Sequence, residues 1–198
     1  MKTYKIHFIR HGRESAKGVV RYIGKTDLPL TAKGREELEQ MVSEEPFPNV
    51  DAVCTRPLLR CRQTAEILYP HLEPVIEEGL TECDFGLFED KTPEELKDDP
   101  RYVEWLSGGT PPEGESGEHF FKRSVVAFAK IVEEAMKKGQ TEIAVVCHGG
   151  SIMSILAQCG IPQRTPSDWI CGHGHGYTML VTPSVWMRGY KAEVIAQF

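Results

Sequence analysis

The stretch Ile6-His7-Phe8-Ile9-Arg10-His11-Gly12 decides how the rest of the chain is read. A short apolar run near the N-terminus predicts a buried strand, here over Lys5–Ile9. Arg10-His11-Gly12 then falls where strand gives way to loop, the place at which open α/β sheets put their ligand sites. A guanidinium offers a planar fork of donors, and an imidazole can act as nucleophile or general base, so the pair suits a phosphoryl group. Gly12 removes a side chain where a substrate would approach the backbone.

Composition narrows the possibilities. A chain of 198 residues that is 40% hydrophobic and 26% charged can bury a substantial core as one domain over 1–198. No apolar run approaches the roughly 20 residues needed to span a bilayer. Met1-Lys2-Thr3-Tyr4-Lys5 leads straight into the strand without an apolar leader, so the expectation is a cytoplasmic protein with no membrane partner. The six cysteines are scattered and none forms a C-x-x-C pair, which predicts reduced core thiols rather than a disulfide framework or zinc site. A net charge of −6 argues against nucleic acid as a partner. Any anion pocket must then be a local concentration of arginine within an acidic whole.

Strands are predicted over Lys5–Ile9, Asp51–Cys54, Pro74–Glu77, Glu142–Cys147, Gly176–Thr182 and Ala192–Ile195. Helices alternate with them over Thr31–Ser43, Pro57–Tyr69, Gly117–Lys138 and Gly150–Cys159. The Gly117–Lys138 helix is the clearest. Phe121, Val125, Phe128, Val132, Ala135 and Met136 form one stripe, Ser116 suits the N-cap and Gly139 the stop. The fold class this predicts is α/β, a three-layer sandwich with a mostly parallel central sheet, helices on both faces and a small helical lid insertion. The insertion is placed at about 86–117, rich in Glu, Asp, Pro and Gly, with a short helix near Pro93–Leu106.

Three further segments extend the opening motif. Thr55-Arg56-Pro57-Leu58-Leu59-Arg60 runs from a strand into a helix, whose first turn already favours anions. Val145-Val146-Cys147-His148-Gly149-Gly150 is a second strand ending in His-Gly, which predicts two imidazoles at one sheet edge. Leu80-Thr81-Glu82-Cys83-Asp84 sets acidic side chains in a mostly apolar stretch.

With these residues together the chain resembles the histidine phosphatase superfamily, which includes cofactor-dependent phosphoglycerate mutases and alpha-ribazole phosphatases. The likeness also takes in Arg21-Tyr22-x-Gly24-x-x-Asp27-x-Pro29-Leu30-Thr31 with Gly34, Arg60-x-x-Gln63-Thr64-Ala65, and Gly114-Glu115-Ser116 with Arg123. It implies that His11 is the nucleophile and that Arg10, Arg60 and His148 hold the phosphoryl oxygens. Gly149, Tyr22 and Gly24 are the further expected substrate contacts. Glu82 would protonate the departing alkoxide, with Asp84 as the competing acid. No metal and no cofactor are expected, and the partner is a small-molecule phosphate ester. The activity implied is that of a metal-independent phosphomonoesterase working through phosphohistidine. The alternatives are a cofactor-dependent phosphoglycerate mutase, or a phosphate- or phosphoprotein-binding module without turnover.

The chain departs from the family pattern at Arg13, Glu14 and Lys17, where Glu, Thr and later Asn are common, and at Arg56, where a small residue is usual. Three added cations suggest a second anionic group on the substrate, whereas Glu14 puts a carboxylate where a hydroxyl would touch phosphate. Cys171-Gly172-His173-Gly174-His175-Gly176 is expected to approach the pocket rim rather than bind metal, for want of a ligand from a second element.

Overall fold

The computed structural model describes residues 2–15 and 20–198. Its core is β1 (Tyr4–Arg10), set between β4 (Glu142–Cys147), to which it runs parallel, and β6 (Gly176–Val181), to which it runs antiparallel. Outside β4 lie β2 (Ala52–Thr55) and then β3 (Val75–Ile76), both parallel to it. Outside β6 lie β7 (Ala192–Gln197), antiparallel, and β5 (Gly160–Ile161), which pairs parallel with β7. The seven-stranded sheet is therefore ordered β3-β2-β4-β1-β6-β7-β5 and is mostly parallel.

Alternation along the central strands sends successive side chains to opposite faces. Ile6, Phe8, Ile143 and Val145 enter one core, which is closed by α5 (Gly117–Lys138), α6 (Gly149–Cys159) and α7 (Pro183–Gly189). Ile9, Val53, Ala144 and Val146 enter the other, under α1 (Ala32–Glu44) and α2 (Leu59–Leu68). Helices cover both faces, the three-layer arrangement expected from the sequence. No helix among the described residues is long and apolar enough to cross a membrane. All six cysteines are free thiols.

Local chemistry explains the element ends. Ser116 caps α5 by accepting from the His119 N–H, and Gly139 ends it at φ 70°, in the left-handed region that favours glycine. The expected helix near Pro93–Leu106 is in fact two, α3 (Pro93–Leu96) and α4 (Pro100–Leu106). Pro100 has no N–H with which to continue a helix, and Asp99 restarts the chain as an N-cap. Both helices pack on a small aromatic cluster of their own, built on buried Phe88, Leu96 and Tyr102. The pattern reading omitted α7 and the two-residue β5. The first is signalled by Pro183 at its start, while the second is too short to show periodicity.

The first core turns on Phe128, whose ring meets Phe8 at 5.2 Å and Trp186 at 5.1 Å, all three buried. Replacing it with alanine leaves a cavity between the sheet and two helices. Phe128→Ala is expected to lower unfolding stability by about 3–5 kcal/mol, read as a shift in urea midpoint.

Candidate active site

The register of β1 against β4 builds the site. Arg10 lies opposite Cys147, so the following residues, His11 and His148, leave the sheet side by side. The His11 N–H donates to Cys147 O at 2.9 Å, and the two rings meet edge to face with centroids 4.9 Å apart. His11 Nδ1 donates to Gly12 O at 2.7 Å, which leaves Nε2 as the bare nitrogen of the neutral ring. Burial, followed by the charge of Arg60, holds His11 well below the usual imidazole range. Gly12 serves a purpose other than the one expected: a Cβ there would stand 2.6 Å from Leu38 Cδ1, so glycine lets α1 pack against the loop.

Three guanidiniums gather around the rings. Arg10 lines the cavity over His11 and donates through Nη1 to Cys171 O at 2.8 Å. Arg60, fully buried in the first turn of α2, donates to Thr26 O at 2.6 Å and Gly24 O at 3.1 Å. Arg56 donates to Gly24 O at 3.1 Å and to His148 Nε2 at 3.3 Å. Nε of all three arginines, together with His148 Nδ1, is buried without a partner in the protein. Of these, Arg10 and His148 line the cavity, where an anion's oxygens would satisfy their leftover donors, while Arg56 and Arg60 add charge from behind it. An arginine only donates, so Nε2 of His148 must be the accepting nitrogen, and the proton of the neutral ring sits on Nδ1. Burial, then the charges of His11 and Arg60, pushes His148 well below the imidazole range.

Of the other expected contacts, Tyr22 and Gly149 line the cavity and Gly24 does not. Gly24 is a crossing point instead. Its carbonyl accepts from both Arg56 and Arg60, and a Cβ would lie 2.2 Å from Cys83 O. Backbone proximity, not ligand approach, is why glycine stands there. Arg60 also lies behind the open cavity rather than in its lining, because the carbonyls of the 23–26 loop hold its guanidinium.

Glu82 is buried against the N-terminus of α6, accepting from Gly150 N at 3.0 Å and Cys83 N at 2.9 Å. Burial raises its pKa, opposed by those two hydrogen bonds and by Arg10 and Arg60. Asp84 behaves in the opposite way. Although burial pulls it upward, its ion pair with Lys25 and a hydrogen bond from Gly86 N leave it below the usual carboxylate range, and it faces a neighbouring cleft. Of these two acids, Glu82 is the one that shares the cavity with His11. Arg123 pins the loop carrying it, donating to Thr81 O at 2.6 Å and Glu82 O at 2.9 Å while paired with Glu115.

Neither of the described extra cations, Arg13 or Arg56, adds an anion subsite to the cavity. Arg13 turns to Glu37 on α1 at 3.1 Å, and Arg56 stands behind His148; Lys17 lies outside the described residues. Glu14 does reach the cavity, with Oε2 3.5 Å from His11 Nδ1. His173 comes closer than expected. Its Nδ1 donates to His11 O at 2.9 Å, and ligand atoms of His11, Glu14 and His173 lie within 4.8 Å of one another. The long glycine-rich loop supplies the second element that spacing alone did not show. The two Nδ1 atoms nearest Glu14 already donate to backbone carbonyls, so a cation held through them would have to displace both protons.

A family model of the histidine phosphatase superfamily (branch 1) matches residues 6–185, and the chain belongs to that superfamily. The uncharacterized phosphatase PhoE of Bacillus subtilis (strain 168) is 29% identical over 152 residues, covering 76% of this chain and 74% of that protein. The probable phosphoglycerate mutase GpmB of Klebsiella pneumoniae (strain 342) is 29% identical over 136 residues, covering 65% of this chain; the chain spans 63% of that protein's length. In fold, the alpha-ribazole phosphatase of Shigella flexneri superposes with a TM-score of 0.82 at 22% identity, covering 98% of this chain and 95% of the other.

The Arg56 contact sets a measurable tautomer. Nitrogen-15 correlation spectra at neutral pH are expected to show His148 as a neutral ring protonated on Nδ1. A neutral Nε2–H ring, or an imidazolium, would contradict the assignment.

Proposed function

We propose that this protein is a phosphomonoesterase that hydrolyses a small phosphorylated metabolite through phosphohistidine on His11, without a metal ion or organic cofactor. The observation that carries the reading is a bare, buried imidazole nitrogen beside unpartnered guanidinium donors and a carboxyl group with a raised pKa. His11 Nε2 attacks phosphorus as the ester P–O bond breaks, and Glu82 gives its proton to the leaving oxygen. Water then attacks phosphorus, Glu82 takes the water's proton, the N–P bond breaks and inorganic phosphate departs. Arg10, the Nδ1–H of His148 and the Gly149 N–H at the start of α6 stabilise the charge on the non-bridging oxygens, and Arg60 acts from behind them. From the segment 86–117, Trp105 and Gly117 line the cavity. Six free thiols suit a reducing, cytoplasmic setting.

The likeness to a probable phosphoglycerate mutase supports a second reading, transfer of the phosphoryl group between substrate hydroxyls. The two differ in product: from 3-phosphoglycerate, hydrolysis yields inorganic phosphate and mutase chemistry yields 2-phosphoglycerate. A non-catalytic binding module would have no use for a buried acid opposite a bare imidazole.

His11→Ala is expected to lower phosphate release by roughly 10³-fold or more. Glu82→Gln should cost about 10²-fold or more on alkyl esters and far less on nitrophenyl phosphate, whose leaving group needs little protonation. Equal losses on both esters would remove Glu82 from the acid role.

The pH profile follows from the opposite shifts. His11, pulled down, stays unprotonated well into acid, whereas Glu82, pushed up, keeps its proton above the usual carboxylate range. Alkyl-ester hydrolysis should therefore hold on the acid side and fall as pH rises past the elevated Glu82 pKa. That upper limb should vanish in Glu82→Gln.

A further inference from the structure

The cavity over His11 encloses about 520 Å³, far more than a phosphoryl group occupies. Its polar groups are concentrated at the floor, and its walls are aromatic. Tyr22, Phe85 and Trp105 form one wall, with centroids 4.9 Å apart for Tyr22–Trp105, 5.2 Å for Tyr22–Phe85 and 5.8 Å for Phe85–Trp105. Phe120 and Phe121 at the start of α5 face the same space. The first wall is held firmly, since it packs on the buried cluster of Phe88, Leu96 and Tyr102, and the Tyr22 and Tyr102 hydroxyls are 2.7 Å apart.

Among the described residues, charge on these walls is spent or negative. Arg21 lines the cavity, but its guanidinium donates to Asp90 O at 2.6 Å and lies 3.6 Å from the Asp90 carboxylate and 3.7 Å from that of Glu95. Among the described residues, no unpaired cation lines the cavity away from the floor. At the floor's edge stands Glu14, its side chain 11% exposed and Oε2 without a hydrogen-bond partner; the nearest cationic candidates are the Nδ1 atoms of His11 and His173, at 3.5 and 3.9 Å. A carboxylate on a leaving group would therefore meet aromatic faces and a like charge.

We infer that the site selects phosphate monoesters of uncharged, aromatic or bulky apolar alcohols, with Glu14 turning away esters that carry a second anion. This rests on the phosphomonoesterase reading and names the substrate class for that site. Burying an aromatic group between these walls is worth about 10- to 100-fold in transition-state binding. A like charge near Glu14, in surroundings of intermediate polarity, costs at least about 10-fold.

The test compares phosphate release from three primary-alkyl monoesters: 2-phenylethyl phosphate, ethyl phosphate and 3-phosphoglycerate. The expected order of kcat/KM is 2-phenylethyl first, ethyl next and 3-phosphoglycerate last, with about 10- to 100-fold between the first two. Trp105→Ala should narrow that gap, as should Phe121→Ala, which removes another ring from the lining. Glu14→Gln should raise 3-phosphoglycerate relative to ethyl phosphate. If 3-phosphoglycerate is hydrolysed as well as 2-phenylethyl phosphate, the inference fails and the phosphatase reading stands. Failure to release phosphate from any ester would end both.

Discussion

The parallel pairing of β1 with β4 is the constraint on which the site depends. With Arg10 opposite Cys147, the two strands stop level, and each delivers a histidine at the next position. The His11 N–H bond to Cys147 O continues the ladder one step beyond the last strand pair, so His11 is held by sheet geometry rather than by a mobile loop. A one-residue slip would reverse the faces of Ile6, Phe8 and Ile9 and part the rings as well. The packing that stabilises the sheet and the placement of the imidazoles are thus one requirement.

Burial then differentiates the ionisable groups. The same low-polarity surroundings push both imidazoles towards the neutral, proton-accepting form and Glu82 towards the protonated, proton-giving form. Asp84, two residues further along, escapes this because Lys25 and Gly86 compensate its charge. An acid and a bare nitrogen can therefore coexist at one pH without any specialised residue type. The arrangement carries a cost in stability, since several buried donors find no partner within the protein.

The departures from the common family pattern have different meanings once placed. Arg13 is a helix contact, Arg56 a support for His148, and among the described departures only Glu14 changes the character of the cavity. Three added cations, Arg13, Lys17 and Arg56, suggest an added anion subsite, yet among the described departures the side chain that reaches the cavity is the carboxylate of Glu14. Side-chain direction decided this, and direction is set by what each element packs against.

The sequence by itself determined the α/β class, β1, β4, α5 and the pairing of His11 with His148, because these rest on local periodicity, caps and strand ends. It also marked Glu82 as an acid set among apolar neighbours. It left open that Gly24 is a crossing point for two arginines, that Arg60 lies behind the cavity, and that His173 folds back onto His11 O. Those depend on contacts between segments far apart in the chain, and no short-range pattern encodes the direction in which a long side chain leaves its backbone. The aromatic walls were equally hidden, since Tyr22, Phe85, Trp105 and Phe121 share no period and meet only when the tertiary fold closes over the sheet edge.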